Sequence, residues 1–184
     1  MSRIIGISGS LRKASYNAAL LRAAVELAPK DIEVEIGSIQ DIPLYNGDVE
    51  SDSGIPPAVS ILKDRIAASD ALLLVTPEYN NSIPGVFKNA IDWLSRPPGD
   101  AARVFGGKPV GIIGATPGGM GTVLAQAAWL PILRTLGTRP FFGKPVYVSG
   151  AAKVFDAGVL RDEGVREKLR TYLEEFARFV SAVK

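Results

Sequence analysis

Apolar residues in this chain form short runs that are separated by longer segments of mixed polarity. The short runs are rich in Ile, Val and Leu and cover residues 4–7, 34–36, 71–75, 110–113 and 146–148. Their length and composition predict β-strands. The longer segments carry apolar side chains at helical spacing and cover residues 18–27, 56–68, 86–94, 122–136 and 165–180. Strands and helices that alternate in this way predict an α/β protein.

The alternation favours a three-layer α/β/α sandwich around a five-stranded parallel sheet, because crossovers between parallel strands place helices on both faces. The 184 residues contain no internal repeat or linker-like tract, so we expect a single domain over residues 1–184. Two polar stretches, residues 45–57 and 96–108, are long for simple connections. They are predicted to be functional or mobile loops.

The chain contains no cysteine and no histidine. Disulfides, thiolate nucleophiles and cysteine-ligated zinc or iron–sulfur sites are therefore excluded. Ser-His-Asp catalysis and histidine-ligated metals are excluded as well, and we expect no metal site. If the chain is an enzyme, a cofactor is expected to supply the reactivity.

The charge and hydropathy of the chain limit which partners it is expected to bind and where in the cell it is expected to lie. Lys and Arg total 21 and Asp and Glu total 19, so the formal net charge is +2, and no run of like charge suggests nucleic acid binding. No signal-peptide pattern opens the chain, and no apolar stretch approaches the ~20 residues of a membrane helix. We therefore expect a cytoplasmic protein whose partners are small molecules rather than nucleic acid or membrane.

A polar loop follows the first predicted strand and leads into the first predicted helix. Ser10, Ser15 and Asn17 offer short side-chain donors there, and Arg12 offers a planar charged fork. The free N–H groups of the helix start add partial positive charge. Ligands of parallel α/β sheets bind at the carboxyl ends of the strands, so this loop predicts a phosphate site. The many short side chains and few glycines favour a terminal monophosphate over a pyrophosphate.

The same loop has a simpler interpretation. Ser15 would cap the helix, Gly9 would allow a tight turn, and the Arg12 side chain would be solvated. Neither a Gly-Lys-Ser/Thr run nor a G-x-G-x-x-G run is present at this position. A nucleoside triphosphatase and an ordinary Rossmann dehydrogenase are therefore disfavoured under both interpretations.

Two further loops follow the third and fourth predicted strands, so they belong at the same edge of the sheet. The first reads Pro-Glu-Tyr-Asn at residues 77–80, and the second reads Thr-Pro-Gly-Gly-Met-Gly at residues 116–121. Gly118 and Gly119 would let a flat ring approach the backbone closely. Taken alone, residues 77–80 are also typical of a turn, with Pro at a corner and Asn in a permissive conformation.

Together these motifs resemble the NADPH-dependent FMN reductases, and within them the bacterial quinone and chromate reductases. The resemblance rests on Gly-Ser-Leu-Arg at 9–12, Ser-x-Asn at 15–17, Pro-Glu-Tyr-Asn at 77–80 and Pro-Gly-x-x-Lys-Asn-Ala-Ile-Asp-Trp at 84–93. It implies a flavodoxin-like fold with strand order 2-1-3-4-5 and noncovalently bound FMN. It further implies two-electron, ping-pong reduction of quinones, chromate, azo compounds or free flavin, with NADPH or NADH as the donor.

The resemblance also implies an assembly and a set of site residues. The assembly is a homodimer or homotetramer, with the helix at residues 86–94 between subunits. No side chain is implied to be catalytic, because the chemistry takes place at N5 of the flavin. The residues implied to hold the FMN phosphate are Ser10, Arg12, Ser15 and Asn17. Those implied to contact the ring and ribityl chain are Pro77, Glu78, Tyr79, Asn80, Thr116, Gly118 and Gly119.

Four residues in or near these motifs have predicted positions of their own. Trp93 and Phe87 are expected in the core or at a subunit contact, Glu78 at the ring edge or in a structural role, and Tyr45 beside the pocket. Hydride arriving at N5 leaves negative charge near N1 and O2 of the ring. We hypothesise that the positive end of the helix beginning near Gly121 stabilises this charge.

Other functions are compatible with the same fold class. A flavodoxin-type electron carrier would bind FMN without oxidising NADPH directly, and such carriers tend to be strongly acidic, unlike this chain. A receiver-type signalling domain needs acids after the first strand and an Asp after the third, where this chain has Gly-Ser at 9–10 and Thr-Pro at 76–77. A serine hydrolase built on Ser10 would lack a histidine to activate it.

Overall fold

A parallel β-sheet forms the centre of the computed structural model, which describes residues 1–183. Its strands are β1 (Ser2–Ser8), β2 (Ile32–Gly37), β3 (Ala71–Val75), β4 (Pro109–Ala115), β5 (Arg139–Pro140) and β6 (Tyr147–Val148). The order across the sheet is β2-β1-β3-β4-β5, β6 also pairs with β4, and all of these pairings are parallel. The predicted α/β class and flavodoxin-like strand order are confirmed.

The fifth position of the sheet is divided between two short strands, so the sheet has six strands rather than the predicted five. β5 pairs with the first two residues of β4, and β6 pairs with the last two, Gly114 and Ala115. Pro140 ends β5 and Pro145 precedes β6. Neither proline has an N–H group to donate to a neighbouring strand, and the ladder is interrupted between them.

Five of the helices begin and end within two residues of their predicted bounds. The helices are α1 (Tyr16–Leu27), α2 (Gly47–Ser53), α3 (Pro57–Ala67), α4 (Gly85–Leu94), α5 (Ala101–Phe105), α6 (Val123–Thr135), α7 (Ala151–Val154) and α8 (Glu163–Ala182). The two stretches predicted as long loops contain the short helices α2 and α5. A small antiparallel hairpin of β7 (Phe155–Asp156) and β8 (Val159–Leu160) precedes α8. Within residues 1–183, no helix combines the length and the apolar content needed to cross a membrane.

Two hydrophobic clusters, one on each face of the sheet, hold the layers together. Leu20 of α1 and Leu173 of α8 belong to the first cluster, and Leu62 of α3 belongs to the second. Phe87 and Trp93 of α4 are also fully buried in the second cluster, as expected of core residues. Each such large apolar side chain stabilises the fold by about 1.5–3 kcal/mol. Every side chain of β3 is buried, which explains its continuous apolar sequence.

The carboxyl ends of β1, β3 and β4 hold three loops side by side at one edge of the sheet. We call residues 9–15 loop 1, residues 76–84 loop 2 and residues 116–122 loop 3. Backbone hydrogen bonds attach them to neighbouring strands. The Gly9 N–H donates to the Val75 carbonyl at 2.9 Å, and the Thr76 N–H donates to the Ile113 carbonyl at 2.8 Å. The rigid sheet therefore sets the relative positions of the three loops.

Candidate functional site

Loops 1, 2 and 3, with the start of α1 and the end of β4, enclose a cavity of about 310 Å³, at the lower end of the ~300–1,000 Å³ range of small-ligand sites. It is lined by Ser10, Arg12, Ser15, Tyr16, Asn17, Pro77, Glu78, Tyr79, Ala115, Thr116 and Pro117. The structure thus brings most of the predicted site residues together. Asn80, Gly118 and Gly119 lie in the same loops but do not line this cavity.

Three lining residues were missed by the sequence analysis, namely Tyr16, Ala115 and Pro117. Ala115 and Pro117 flank Thr116, and Tyr16 lies between Ser15 and Asn17. The side chains of Ala115 and Pro117 carry no chemical signal for ligand binding. Adjacency to predicted residues was the one signal that could have found them.

Loop 1 is a hydrogen-bonded turn at the start of α1. The Ser15 hydroxyl caps the helix by accepting a hydrogen bond from the Ala18 N–H at 3.2 Å. The Ser15 N–H donates to the Arg12 carbonyl at 3.1 Å, and the Arg12 N–H donates to Ser10 Oγ at 3.4 Å. The simpler interpretation of Ser15 as a helix cap is therefore correct. Its hydroxyl hydrogen is still free to be donated to a ligand, because the cap uses the oxygen as an acceptor.

Arg12 carries the positive charge of the cavity. Its guanidinium lies over the Tyr16 ring, 5.4 Å from the ring centroid. No carboxylate within residues 1–183 forms an ion pair with it. The contact with a neutral ring orients the guanidinium and leaves its charge uncompensated.

Gly9 is required by a close contact rather than by a turn. The chain does bend at Gly9, but its φ is not in the left-handed region, so the backbone conformation alone does not require glycine there. A Cβ added at Gly9 would lie 2.2 Å from the Phe87 ring, which is itself fully buried. Loop 1 therefore lies directly on the core side chain of α4.

Asn17 has a structural role that its motif did not indicate. Its Nδ2 donates to the Ala115 carbonyl at 2.8 Å, and its Oδ1 accepts from the Ala115 N–H at 2.9 Å. The residue is only 4% exposed. Because both ends of the amide are bonded to the end of β4, Asn17 joins the first turn of α1 to the start of loop 3. The predicted contact with the phosphate stays a prediction, for which one Nδ2 hydrogen is left.

Loop 2 contains a tight turn at its tip. The Tyr79 N–H donates to the Ser82 carbonyl at 3.1 Å, and the Ser82 N–H donates to the Tyr79 carbonyl at 3.0 Å. Asn80 and Asn81 have φ of 50° and 61°, in the left-handed region that Asn tolerates. The turn interpretation of Asn80 is therefore correct. Pro77 and Tyr79 line the cavity on either side of Glu78.

Glu78 connects loop 2 to the start of α6. Its Oε2 accepts a hydrogen bond from the Ala125 N–H at 3.0 Å. Ala125 is the third residue of α6, so the carboxylate lies at the positive end of the helix. That this helix end stabilises a reduced ring stays a hypothesis. α6 begins at Val123, close to the expected start near Gly121, and the Glu78 carboxylate already compensates part of its positive charge.

Loop 3 leaves its backbone open to a ligand. A Cβ added at Gly119 would meet no atom within 4 Å, and one at Gly118 would meet only Thr116 Oγ1 at 3.7 Å. Neither glycine has a left-handed φ. Neither packing nor backbone conformation therefore requires glycine at these two positions, and the missing side chains leave room for a flat group against the backbone.

Tyr45 lies outside the cavity, contrary to expectation. Its hydroxyl donates to Glu50 Oε2 at 2.9 Å, and its ring packs edge-on against Trp93 at 4.9 Å between centroids. Arg96 forms an ion pair with the same Glu50 carboxylate. The hydrogen bond from Arg96 lowers the pKa of Glu50, and the hydrogen bond to Glu50 raises the pKa of Tyr45. This network attaches α2 to the end of α4 rather than serving the site.

The three loops together suit a phosphorylated ligand with a flat ring. Loop 1 supplies hydroxyl groups, a guanidinium and a helix start, while loops 2 and 3 supply the Pro77 and Tyr79 side chains and an open backbone. In a sheet with the order β2-β1-β3-β4-β5, ligands bind at the carboxyl ends of the strands beside the switch point between β1 and β3, where the chain changes from building one side of the sheet to building the other. The fold and the site together place this chain in the class of flavin-binding proteins with a flavodoxin-like fold.

Comparison with known proteins identifies the family within this class. The family model of the NADPH-dependent FMN reductases matches residues 2–153. The chain therefore belongs to the NADPH-dependent FMN reductase family, and it is an oxidoreductase that works with FMN and NAD(P)H.

Individual relatives resemble the chain over nearly its whole length. It is 44% identical to an NAD(P)H-dependent FMN reductase of Pseudomonas aeruginosa, over 99% of this chain and 97% of that protein. It is 38% identical to a quinone reductase of Escherichia coli, over 99% of this chain and 97% of that protein. Among solved structures, FerB of Paracoccus denitrificans, a flavoenzyme NAD(P)H:(acceptor) oxidoreductase, matches with a TM-score of 0.88 and 38% identity, covering 99% of this chain and 98% of that chain.

Proposed function

We propose that this chain reduces quinones with electrons from NAD(P)H, using FMN bound in the cavity between loops 1, 2 and 3. The observation that carries the proposal is the composition of that cavity. Hydroxyl donors and the uncompensated Arg12 charge line one part of it, and the turn-forming loop 2 and the open loop 3 line the rest. This arrangement matches the two chemical parts of FMN, a dianionic phosphate and a flat ring.

The roles of the residues follow from their donors. The hydroxyl groups of Ser10 and Ser15 and the guanidinium of Arg12 would bind the phosphate, together with the free N–H groups at the start of α1. Pro77 and Tyr79 would contact the ring and ribityl chain from loop 2, with Thr116 and the two glycines on the side of loop 3. Asn80 would act by holding the tip of loop 2 in its turn.

The protein would position the flavin and shield it from solvent, and its side chains would not transfer protons. When bound, FMN would accept two electrons from the nicotinamide donor and pass them to the quinone, the two substrates using one site in turn. Among the residues that line the cavity within 1–183, no acid and base lie paired with each other. Glu78, the one carboxylate among them, accepts a backbone N–H of α6 instead. We assign Glu78 a structural role at the edge of the ring.

Anaerobic reduction tests the proposed function. Purified protein supplied with FMN is expected to become yellow, to lose its visible flavin absorbance on addition of NADPH, and to regain it on addition of benzoquinone. A flavodoxin-type carrier would bind FMN and stay oxidised with NADPH alone. Protein that takes up no FMN would contradict the assignment of the cavity.

Replacing Glu78 by Gln is expected to raise the two-electron potential of bound FMN. The amide oxygen can still accept the Ala125 N–H, but the negative charge beside the ring is removed, and the positive end of α6 then stabilises the reduced ring. A charge at a helix end is worth about 0.3–1 kcal/mol, or about 6–20 mV for a two-electron couple. Spectroelectrochemistry of the loaded variant measures the shift. Glu174→Gln, an equal change of charge on the exposed face of α8, is the control, and an equal potential in both variants would contradict the role of Glu78.

We also propose that the chain assembles as a homodimer or homotetramer in the cytoplasm, where NAD(P)H is available. A groove of about 320 Å³ between α4 and α6 supports the assembly. Its walls combine apolar side chains, Ile91 and Ile132 among them, with the Lys88–Asp92 ion pair. Ile91 itself is buried, so α4, the helix expected between subunits, contributes mainly the polar part of this groove and α6 contributes the apolar part.

A further inference from the structure

A second cavity adjoins the candidate site on the other side of loop 1. We call it the basic groove. It has a volume of about 560 Å³ and lies between loop 1, the first turns of α1 and the hairpin of β7 and β8. Its walls include Arg12, Lys13, Tyr16, Arg22, Phe155 and Gly158. Arg12 and Tyr16 line both cavities, so the groove continues directly from the predicted phosphate site.

The charge of the groove is uncompensated. Three cationic side chains line it, and no carboxylate of the described residues does; Asp156, the one carboxylate of the hairpin, is not part of its wall. None of the three cations forms an ion pair within residues 1–183. Six other arginines do pair with Asp or Glu, namely Arg3, Arg65, Arg96, Arg103, Arg166 and Arg170. Like charges gathered in a concave surface attract an anion.

Neutral partners hold the two arginines in place. The Arg22 Nη2 donates to the Gly158 carbonyl at 3.1 Å. Ala157 and Gly158 have φ of 45° and 77° and form the tip of a two-residue hairpin loop, which presents that carbonyl. The Arg12 guanidinium lies over Tyr16, whose ring packs against Phe155 at 5.6 Å between centroids. The groove thus combines oriented, uncompensated cations with an aromatic wall.

We propose that the basic groove binds the phosphate-bearing adenosine end of a dinucleotide, and that Lys13 and Arg22 hold the 2′-phosphate of NADPH. This proposal rests on the proposed function, which assigns Arg12 to the phosphate of FMN. Lys13 and Arg22 are the remaining cations, and they match a second phosphate group. The aromatic side chains of Tyr16 and Phe155 suit a purine base. NADH lacks the 2′-phosphate, so the groove would favour NADPH over NADH.

The double variant Lys13→Ala/Arg22→Ala tests the proposal in the FMN-loaded protein. We expect kcat/KM for NADPH to fall by about tenfold or more, because two charge-assisted contacts are lost, while kcat/KM for NADH and the Kd for FMN stay unchanged. The difference between NADPH and NADH is expected to shrink as salt is added. A second readout is the Kd of adenosine 2′,5′-bisphosphate measured by calorimetry, which is expected to rise by a similar factor. Lys30→Ala, which removes one exposed cation just before β2 at the opposite edge of the sheet, is the control.

The other outcomes separate the alternatives. Unchanged NADPH-to-NADH preference with unchanged binding of the bisphosphate would overturn the groove as a nucleotide site. The adenylate of FAD has related chemistry, so the affinities of the unloaded protein for FMN and FAD are compared as well. If the double variant loses affinity for FAD alone and keeps the NADPH-to-NADH preference, the assignment to NADPH is overturned. The groove would then bind the adenylate of FAD. Failure of the unmutated protein to bind FMN would instead overturn the proposed function.

Discussion

Replacing Arg12 by Ala is expected to weaken FMN binding about tenfold to a hundredfold. Arg12 is the one cationic side chain among the residues that line the cavity, and no carboxylate of residues 1–183 neutralises it. A charge-assisted hydrogen bond to a phosphate contributes about 1.5–3 kcal/mol, which corresponds to the stated loss. Calorimetric titration of the unloaded protein with FMN measures the change in Kd.

Riboflavin provides the control for Arg12, because it has the same ring and ribityl chain without the phosphate. The affinity for riboflavin is expected to be the same in the Arg12→Ala variant and in the unmutated protein. Arg12→Lys keeps the charge but loses the planar fork and the stacking on Tyr16, so an intermediate Kd for FMN is expected. Equal affinities of the unmutated protein for FMN and riboflavin would show that loop 1 does not bind the phosphate.

Asn17→Ala is expected to destabilise the protein and to weaken the binding of both FMN and riboflavin. The substitution leaves the N–H and the carbonyl of Ala115 without their partner in a buried place. Each unpaired buried group costs about 1–3 kcal/mol, so a loss of about 2–6 kcal/mol in the free energy of unfolding is expected for the two groups. Urea denaturation measures it as a lower midpoint with an unchanged slope.

The comparison of the two flavins decides between the two roles of Asn17. If Asn17 joins α1 to β4, as its hydrogen bonds indicate, its loss disturbs the phosphate loop and the ring loop together. If it acted as a phosphate contact alone, riboflavin binding would be unchanged, and this result would contradict the expectation. Asn17→Asp is the matched variant of equal size. Its carboxylate faces the Ala115 carbonyl oxygen and cannot donate to it, so its folded-state pKa is raised and its destabilisation is expected to lessen as the pH falls.

The positions of the strands and of the three loops were predictable from local pattern. β3 is apolar at every position because it is buried on both faces, and the amphipathic helices have apolar side chains at helical spacing. Ligand-binding loops of such a sheet follow its strands, which is why Ser10, Arg12 and Pro77 were expected in the site and do line the cavity. The family was readable for the same reason, since its motifs are short and continuous.

The sequence by itself determined the order of the elements and the loops that form the site, because periodicity and residue type act over a few neighbouring positions. The strand order was implied by the resemblance to the family. Only the tertiary structure decided that Asn17 bonds to Ala115, 98 residues away, and that Glu78 binds the start of α6, 47 residues away. It also decided that Gly9 makes room for Phe87 and that the fifth strand is divided. Such pairings depend on which polar groups and which surfaces the folded chain brings into contact, and residue type alone does not carry that information.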